Sequence, residues 1–193
     1  MSDAEQSSDT DDRRVVVLDL LPNGRADDDR PPNRKSPLAY CLGEADFSLV
    51  ELTLADETDI GFSDRVRPDD EGVERFRSVT FEDVSSAARS ELEYAVEDLI
   101  DRDERRFVDF YNDAQPISLR LHQLNLLPGI GKKLRNSILD ERKRTPFESF
   151  ADLEERVAGL HRPKEILVER ILEELRDEDL KYRIFVGREP TEE

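Results

Sequence analysis

A glycine-containing turn followed by two lysines is the part of this sequence best suited to chemistry. The segment LLPGIGKKLRNSILDERKR, residues 126–144, places Ile130 between two glycines, and Lys132 and Lys133 come directly after the second glycine. Glycine permits a sharp backbone reversal and lets the main chain lie directly against a ligand. The free N–H groups at the start of the helix predicted to follow carry partial positive charge and can bind a phosphate. The spacing therefore predicts a phosphate-binding turn.

The charge of this segment supports the same interpretation. The chain has a formal net charge of −18 and only six lysines, against 23 arginines. Between Pro128 and Phe147, however, there are six basic residues and two acidic ones, a local charge of +4. Lysine at a helix N-terminus is unfavourable by several tenths of a kcal/mol, so Lys132 and Lys133 indicate an external anion. The predicted binding residues are Pro128, Gly129, Ile130, Gly131, Lys132, Lys133, Arg135, Arg142, Lys143 and Arg144.

Two helices are expected to position this turn. The segment SLRLHQLNLLPGIGKKLRNSILDER predicts a helix, a tight turn and a second helix, with Ile130 plugged into the groove between them. The apolar residues at helical spacing are Leu119, Leu121, Leu124 and Leu127 in the first helix, and Leu134, Ile138 and Leu139 in the second.

The rest of the chain predicts an α+β protein. Helical spacing begins after Ser85 or Ser86, either of which can cap the helix, and it ends at Pro116. A late strand is predicted at Lys181–Arg188. Before the helices, short strands without intervening helices favour a small antiparallel barrel or sandwich. These strands are predicted at 13–21, 38–42, 47–54, 64–67 and 73–81.

Composition bounds the class of protein. With 36% hydrophobic and 39% charged residues, the chain has an unusually charged surface around a folded core. Abundant aspartate with few lysines is typical of halophilic proteins, since molar salt screens charges within about 3 Å. An acidic protein built to hold a basic partner is the alternative. The single cysteine favours a cytoplasmic location, the polar start MSDAEQSSDTDD predicts a solvated tail rather than a signal peptide, and no apolar run predicts a membrane helix.

The segment around the turn resembles the helix-hairpin-helix motif, whose turn has the form Leu-Pro-Gly-Ile-Gly. The segment TPFESFADLEERV, residues 145–157, is similar to the motif's trailing part, and residues 157–175 resemble a degenerate second copy with Gly159-Leu160-His161 at its turn. This sequence departs from the motif's usual pattern at Arg135, where the motif prefers a small residue. The resemblance implies that the first turn grips backbone phosphate without reading sequence, whereas we expect the second copy to pack rather than bind.

Taken whole, the chain resembles an archaeal family of predicted RNA-binding proteins, domain of unknown function 655. The resemblance rests on RRVVVLDLLPNGR, ELEYAVEDLI, ERRFVDFYNDAQPISLRLHQLNLLPGIGKK, PFESFADL and KYRIFV. It implies a nucleic-acid partner, RNA rather than DNA, in translation or ribosome assembly, and no membrane. It also implies this organisation: a disordered tail at 1–12, an OB-like β-barrel at 13–83, connecting helices at 84–115, a helix-hairpin-helix region at 116–178, and a strand with a frayed tail at 179–193.

Other interpretations stay open. The hairpin can be a protein-docking scaffold, and Arg142, Lys143 and Arg144 can merely complement the C-terminal end of their helix. Lys133 and Asp152 match the spacing of a lysine and an aspartate in helix-hairpin-helix DNA glycosylases, but no acid or base constellation supports catalysis. We therefore predict no enzyme, no cofactor and no metal site.

The remaining residues that could do chemistry are predicted to pack. Cys41 is expected to be a small apolar strand residue. His122 and His161 are expected at the surface or in packing, since no cysteine partner completes a zinc site. Five aromatic residues could include a base-stacking platform, although core packing is favoured. They are Tyr40, Phe47, Phe62, Phe76 and Phe81.

Overall fold

The structure, a computed structural model, describes residues 13–187 of the 193-residue chain. The predicted tails at 1–12 and beyond 187 lie outside the described residues. The protein is of the mixed α+β class, as predicted. Its packing divides the described chain into two compact units, residues 13–95 with 185–187, and residues 96–184.

The first unit contains one curled, antiparallel sheet of five strands. The strands are β1 (Val15–Leu21), β2 (Leu38–Gly43), β3 (Leu49–Leu54), β4 (Arg65–Val66) and β5 (Val73–Ser78). Their order is β4-β1-β2-β3-β5, which confirms the prediction of several short antiparallel strands. In the described residues β4 and β5 are the two edges, so the sheet is open.

One face of the sheet forms an apolar core because β-branched and leucine side chains alternate along the central strands. Cys41 lies in this core, as predicted, and burial raises the pKa of its thiol to about 12. On the other face the buried carboxylate of Glu51 accepts hydrogen bonds from Arg25 and Arg77. The core residues are Val15, Val17, Ala39, Cys41, Val50, Leu52, Leu54 and Val66.

Within residues 13–187, five α-helices follow the sheet. They are α1 (Ser86–Arg102), α2 (Glu104–Asp113), α3 (Lys132–Arg144), α4 (Phe150–Arg156) and α5 (Pro163–Arg176). The hydroxyl of Ser85 accepts a hydrogen bond from the Ala88 amide at 3.1 Å, so Ser85 caps α1 as predicted. Across residues 13–187, none of the helices is both long and apolar enough to cross a membrane.

The predicted helix before the glycine turn is wrong for most of its length. Only a 3-10 helix, Gln123–Leu126, forms there. Upstream of it, the Ser118 hydroxyl accepts hydrogen bonds from the amides of Arg120 and Leu121, and such local bonds compete with a helix. Leu124 and Leu127 are buried as predicted, whereas Leu119 is fully exposed. The second predicted helix is confirmed as α3, with Ile138 buried.

The predicted strand at Lys181–Arg188 does not form in its described part, which ends at Gly187. Side chains of α5 occupy the main-chain groups that a sheet neighbour would need. Arg170 donates to the Tyr182 carbonyl, and the Ile184 amide donates to Glu174 at 2.8 Å. These residues are therefore hydrogen-bonded to α5 and not to a neighbouring strand.

Contacts around α3 fix its position in the second unit. The Asn112 side chain bonds both the amide and the carbonyl of Phe147, at 2.8 and 3.0 Å. Arg156 lies over the Phe147 ring and donates to the Glu141 and Thr145 carbonyls at the end of α3. These bonds satisfy carbonyls that the last turn of a helix leaves free.

The buried pair of Arg170 and Glu174 gives a stability prediction. Glu174 is fully buried, and the Arg170 Nε donates to its carboxylate at 3.0 Å. Arg170→Leu removes this guanidinium from the buried carboxylate and breaks a buried ion pair, so we expect the free energy of unfolding to fall by about 3–5 kcal/mol. Glu173→Gln removes the half-exposed partner of the same arginine and should cost below about 1 kcal/mol. Denaturant unfolding checks both variants, and equal losses would contradict the assignment.

Candidate nucleic-acid interface

The glycine turn begins as a tight reversal from Leu127 to Ile130. The Ile130 amide donates to the Leu127 carbonyl at 3.2 Å, with Pro128 and Gly129 at the two central positions. Gly129 has a φ of +76°, which the second central position of a type II turn requires. Ile130 is 4% exposed, so its side chain anchors the turn as predicted.

Gly131 has a different role from the one its sequence context suggested. Its φ is −87° and its ψ is −171°, an extended conformation that any residue can adopt. A Cβ atom placed there would meet nothing within 4 Å. The sharp reversal that the sequence predicts at the glycines therefore depends on Gly129 and not on Gly131. Neither backbone strain nor packing within the described chain requires a glycine at this position.

Main-chain amides at the start of α3 face solvent. Gly131 is the N-cap residue, and no side chain caps the helix. Within residues 13–187, the amides of Gly131, Lys132, Lys133 and Leu134 have no hydrogen-bond acceptor, and the first bond of the helix is from the Arg135 amide to the Gly131 carbonyl. Gly131, Lys132 and Lys133 are exposed. The helix dipole adds partial positive charge at this point.

A polar network fixes the turn against the elements on either side of it. The Asn125 side chain donates to the Ile130 carbonyl at 3.3 Å and accepts from Arg135 at 2.9 Å. The same Asn125 oxygen accepts from the His122 amide, and His122 Nδ1 accepts from the Leu124 amide at 3.1 Å. Arg135 therefore bridges α3 and the turn through its hydrogen bond to Asn125.

The basic residues at the other end of α3 are separated from the turn. At 1.5 Å per residue, Arg142 lies about 15 Å along the helix from Lys132. Arg142 donates to the Tyr111 carbonyl at 3.0 Å, and burial lowers the pKa of its guanidinium. Arg144 pairs with Glu141 at 3.2 Å, while Lys143 is exposed. The structure thus brings together residues 128–133 and Arg135, and leaves the Arg142–Arg144 group apart from them.

A second turn repeats the geometry of the first. The Leu160 amide donates to the Val157 carbonyl at 3.1 Å, Gly159 has a φ of +89°, and Leu160 is buried. The second turn is one residue longer, and Pro163 at the start of α5 removes one amide. The amide of Arg162 donates to the Glu154 carboxylate at 3.3 Å.

The second turn therefore already holds an oxyanion, which the chain itself supplies. His161 Nδ1 also lies 3.9 Å from the Glu154 oxygen. At the first turn the corresponding amides face solvent instead. The contrast indicates what kind of group the first turn can accept.

A cleft of about 810 Å³ borders one side of the first turn. Its other wall is α5, which contributes Glu169, Arg170, Glu173 and Arg176, and Asp177 follows just beyond the helix. The three carboxylates outnumber the two guanidinium groups, and Arg170 is already paired with Glu173 and Glu174, so the cleft disfavours an anion. Lys132 and Lys133 do not line it. An anion bound at the turn would therefore approach from the lysine side, outside the cleft.

Several of the other candidates have structural contacts within the fold. The Asp152 carboxylate accepts from the Glu148 amide at 3.1 Å and from Arg156 at 3.0 Å. Tyr40 and Phe47 are buried, whereas Phe62 is 56% exposed. In the described part of the chain, no group of His, Cys, Asp and Glu side chains is arranged to hold a metal ion.

Sequence reasoning missed Asn125, although its spacing of three from His122 is that of a reciprocal cap.

The fold and the site together define a class: an α+β protein that joins a curled antiparallel sheet to a helical unit with an open, lysine-flanked glycine turn. Within that class, the chain belongs to the family described as "Protein of unknown function (DUF655)", whose model matches residues 11–187.

Two relatives illustrate the family. The chain is 38% identical over 177 residues to "Uncharacterized protein MJ0038" of Methanocaldococcus jannaschii, covering 88% of this chain and 77% of the relative. It is also similar to the crystal structure of Af1531 from Archaeoglobus fulgidus, with a TM-score of 0.82 and 40% identity, covering 91% of this chain and 99% of the other. Both relatives are archaeal, in keeping with the family resemblance of the sequence.

The buried His122 gives a prediction of pH dependence. Burial lowers the pKa of its imidazole, and the nearby charges of Arg142 and Arg135 lower it further. The folded chain therefore binds this proton less readily than the unfolded chain. This histidine does not reduce the free energy of unfolding above the ordinary histidine pKa of about 6.5. As the pH falls below that value, the free energy of unfolding decreases by at most about 1.4 kcal/mol per pH unit.

His122→Asn keeps a side-chain acceptor for the cap without a titrating group. We expect the stability of wild type relative to this variant to fall on acidification, as measured by denaturant unfolding at a series of pH values. Parallel profiles for wild type and His122→Asn would contradict the assignment.

Proposed function

We propose that this protein binds nucleic acid through a backbone phosphate held at the amides of Gly131, Lys132 and Lys133. The two lysines add charge, and Arg135 and Asn125 hold the turn in shape. In this proposal the two turns are helix-hairpin-helix motifs, the first binding and the second packing, and the sheet is an OB-like half-barrel. Main-chain donors read no base, so the contact is independent of sequence.

The observation that carries the proposal is the open N-terminus of α3. Four adjacent amides lack acceptors within residues 13–187, and Gly131 lacks a side chain that the fold would tolerate. A phosphate satisfies such amides and is favoured by the helix dipole. The carboxylate held at the second turn is an oxyanion in a comparable place.

The charge balance of the chain is compatible with this contact. Affinity from diffuse counterion release falls steeply with salt. A net charge of −18 would also repel a polyanion in dilute buffer. At molar salt the repulsion is screened, while short hydrogen bonds to charged oxygens persist. A halophilic cytoplasm is therefore the setting in which this acidic protein can hold RNA.

RNA is proposed over DNA, with a place in translation or ribosome assembly, on the strength of the family resemblance. The turn itself contacts phosphate in either polymer. A purely protein-docking hairpin is the competing function, and the following variants distinguish it from phosphate binding.

Gly131→Asp separates ligand binding from folding. Aspartate is a good N-cap residue, so its carboxylate should occupy the free amides and leave the free energy of unfolding unchanged or higher by a few tenths of a kcal/mol. The same carboxylate excludes phosphate, and we expect the Kd for a single-stranded RNA of mixed sequence to rise at least about tenfold, equal to about 1.4 kcal/mol. Fluorescence anisotropy in molar KCl measures the binding.

Asn136→Asp is the matched control for this change, since it adds the same charge on the exposed side of α3, where Asn136 already accepts from Arg135. Its Kd should stay within about twofold of wild type. Equal affinities for wild type and Gly131→Asp, or equal losses in both variants, would contradict phosphate binding at the turn.

Lys132→Gln combined with Lys133→Gln tests the charge contribution. Each lost phosphate contact reduces the slope of log affinity against log salt by about 0.7 for a single strand, so we expect a slope smaller by up to about 1.4. The control pair is Lys164→Gln with Lys181→Gln, and Lys164 is already paired with Asp101 at 3.1 Å. An identical slope for wild type and the Lys132 and Lys133 variant would exclude those lysines from the interface.

A further inference from the structure

A short ordered loop leads into the glycine turn. Pro116 and His122 form an isolated antiparallel bridge at the base of the loop. Above it, the amides of Ile117 and Ser118 both donate to the Leu121 carbonyl, at 2.8 and 3.0 Å. The Ser118 hydroxyl accepts from two further amides of the loop. The loop is therefore a small, internally bonded projection.

The tip of this loop presents an apolar side chain to solvent. Leu119 is 107% exposed, and its neighbour Arg120 is exposed as well. Among the described residues, Phe62, Tyr94 and Leu119 are the large apolar side chains that are exposed, and Leu119 is the most exposed of them. A leucine at this position contributes nothing to the packing of its own chain.

The loop and the glycine turn form one connected piece. His122, at the base of the loop, donates its amide to Asn125, and Asn125 donates to the Ile130 carbonyl within the turn. Arg135 on α3 donates to the same Asn125 side chain. The 3-10 helix Gln123–Leu126 fills the short connection. This network links the base of the loop to the glycine turn and to the start of α3.

We infer that Leu119 is a wedge that packs against an unstacked base of the strand whose phosphate lies at Gly131, with Arg120 beside the neighbouring backbone. The inference rests on the proposed function and narrows its ligand to nucleic acid with an unpaired or easily unstacked base, such as an RNA bulge or loop. Proteins that unstack bases insert apolar side chains of this kind. Specific RNA recognition targets splayed bases in loops and bulges.

The geometry suits this ligand better than a regular duplex. An apolar tip gains contact only where a base face is open, and in a regular RNA helix stacking covers the base faces. A charged neighbour such as Arg120 favours a ligand with phosphates over an apolar protein groove. Two contacts thus define the ligand class: the amides at Gly131 bind a phosphate, and the Leu119 side chain packs against a base.

The test compares two RNA probes, a hairpin with a single bulged fluorescent adenine analogue and a fully paired duplex carrying the same analogue. Wild type should bind the bulged probe more tightly and change the analogue's fluorescence. Leu119→Gln keeps the size of the side chain but not its apolarity. We expect it to lose the fluorescence change and to bind the bulged probe about tenfold more weakly, with the affinity for the duplex within about twofold of wild type.

Tyr94→Gln, at another exposed apolar side chain, is the matched control and should behave as wild type. Unchanged fluorescence and affinity in Leu119→Gln, while wild type binds both probes, would overturn the wedge and leave the phosphate contact standing. Failure of wild type to bind either probe would overturn the proposed function and the wedge with it. If nuclease-treated lysate yields a protein that wild type retains and Leu119→Gln loses, Leu119 is a protein contact and the wedge is wrong.

Discussion

The free main-chain amides at the start of α3 are the feature on which the account depends. A helix leaves its first amides without intrahelical acceptors, and something must satisfy them. At α4 the Ser149 hydroxyl does so by accepting from the Asp152 amide. At α3 the cap residue is a glycine, and solvent is the acceptor that the described chain leaves for these amides. The buried Ile130 and the Asn125 network hold the amides in this open arrangement.

The two turns show how small chemical differences separate an open site from a closed one. Both have a left-handed glycine and a buried aliphatic residue behind it. At the second turn, Pro163 removes a donor and Glu154 accepts from the Arg162 amide. At the first turn, glycine stands where a side chain could stand, and two lysines follow. In the proposed function, the phosphate at the first turn has the same electrostatic role as the carboxylate observed at the second turn.

Much of the architecture could be predicted from the sequence because periodicity is a local signal. Short runs rich in strand-forming residues located the strands, and helical spacing located α1 and α3. The helix predicted at 118–127 is wrong, although its leucines have helical spacing. The Ser118 hydroxyl accepts from a nearby main-chain amide, and this bond competes with a helix in a way that the spacing of apolar residues does not show. The strand predicted after α5 does not form in the described residues, because Arg170 and Glu174 of α5 bond the main chain of that segment. The residues of the segment itself give no sign of these contacts. Likewise, nothing local distinguished Gly129, which needs its left-handed φ, from Gly131, which does not.

The same limits apply to the candidate site. The turn and its lysines were visible in the sequence, but the separate use of Arg142 and the bridge made by Arg135 depend on tertiary contacts.

The most direct measurement of phosphate binding at the turn is the backbone NMR spectrum of the labelled protein during titration with RNA in molar KCl. The account predicts that the amide resonances of Gly131, Lys132, Lys133 and Leu134 shift most and exchange more slowly with solvent. Saturable RNA binding that leaves these four amides unchanged would contradict it.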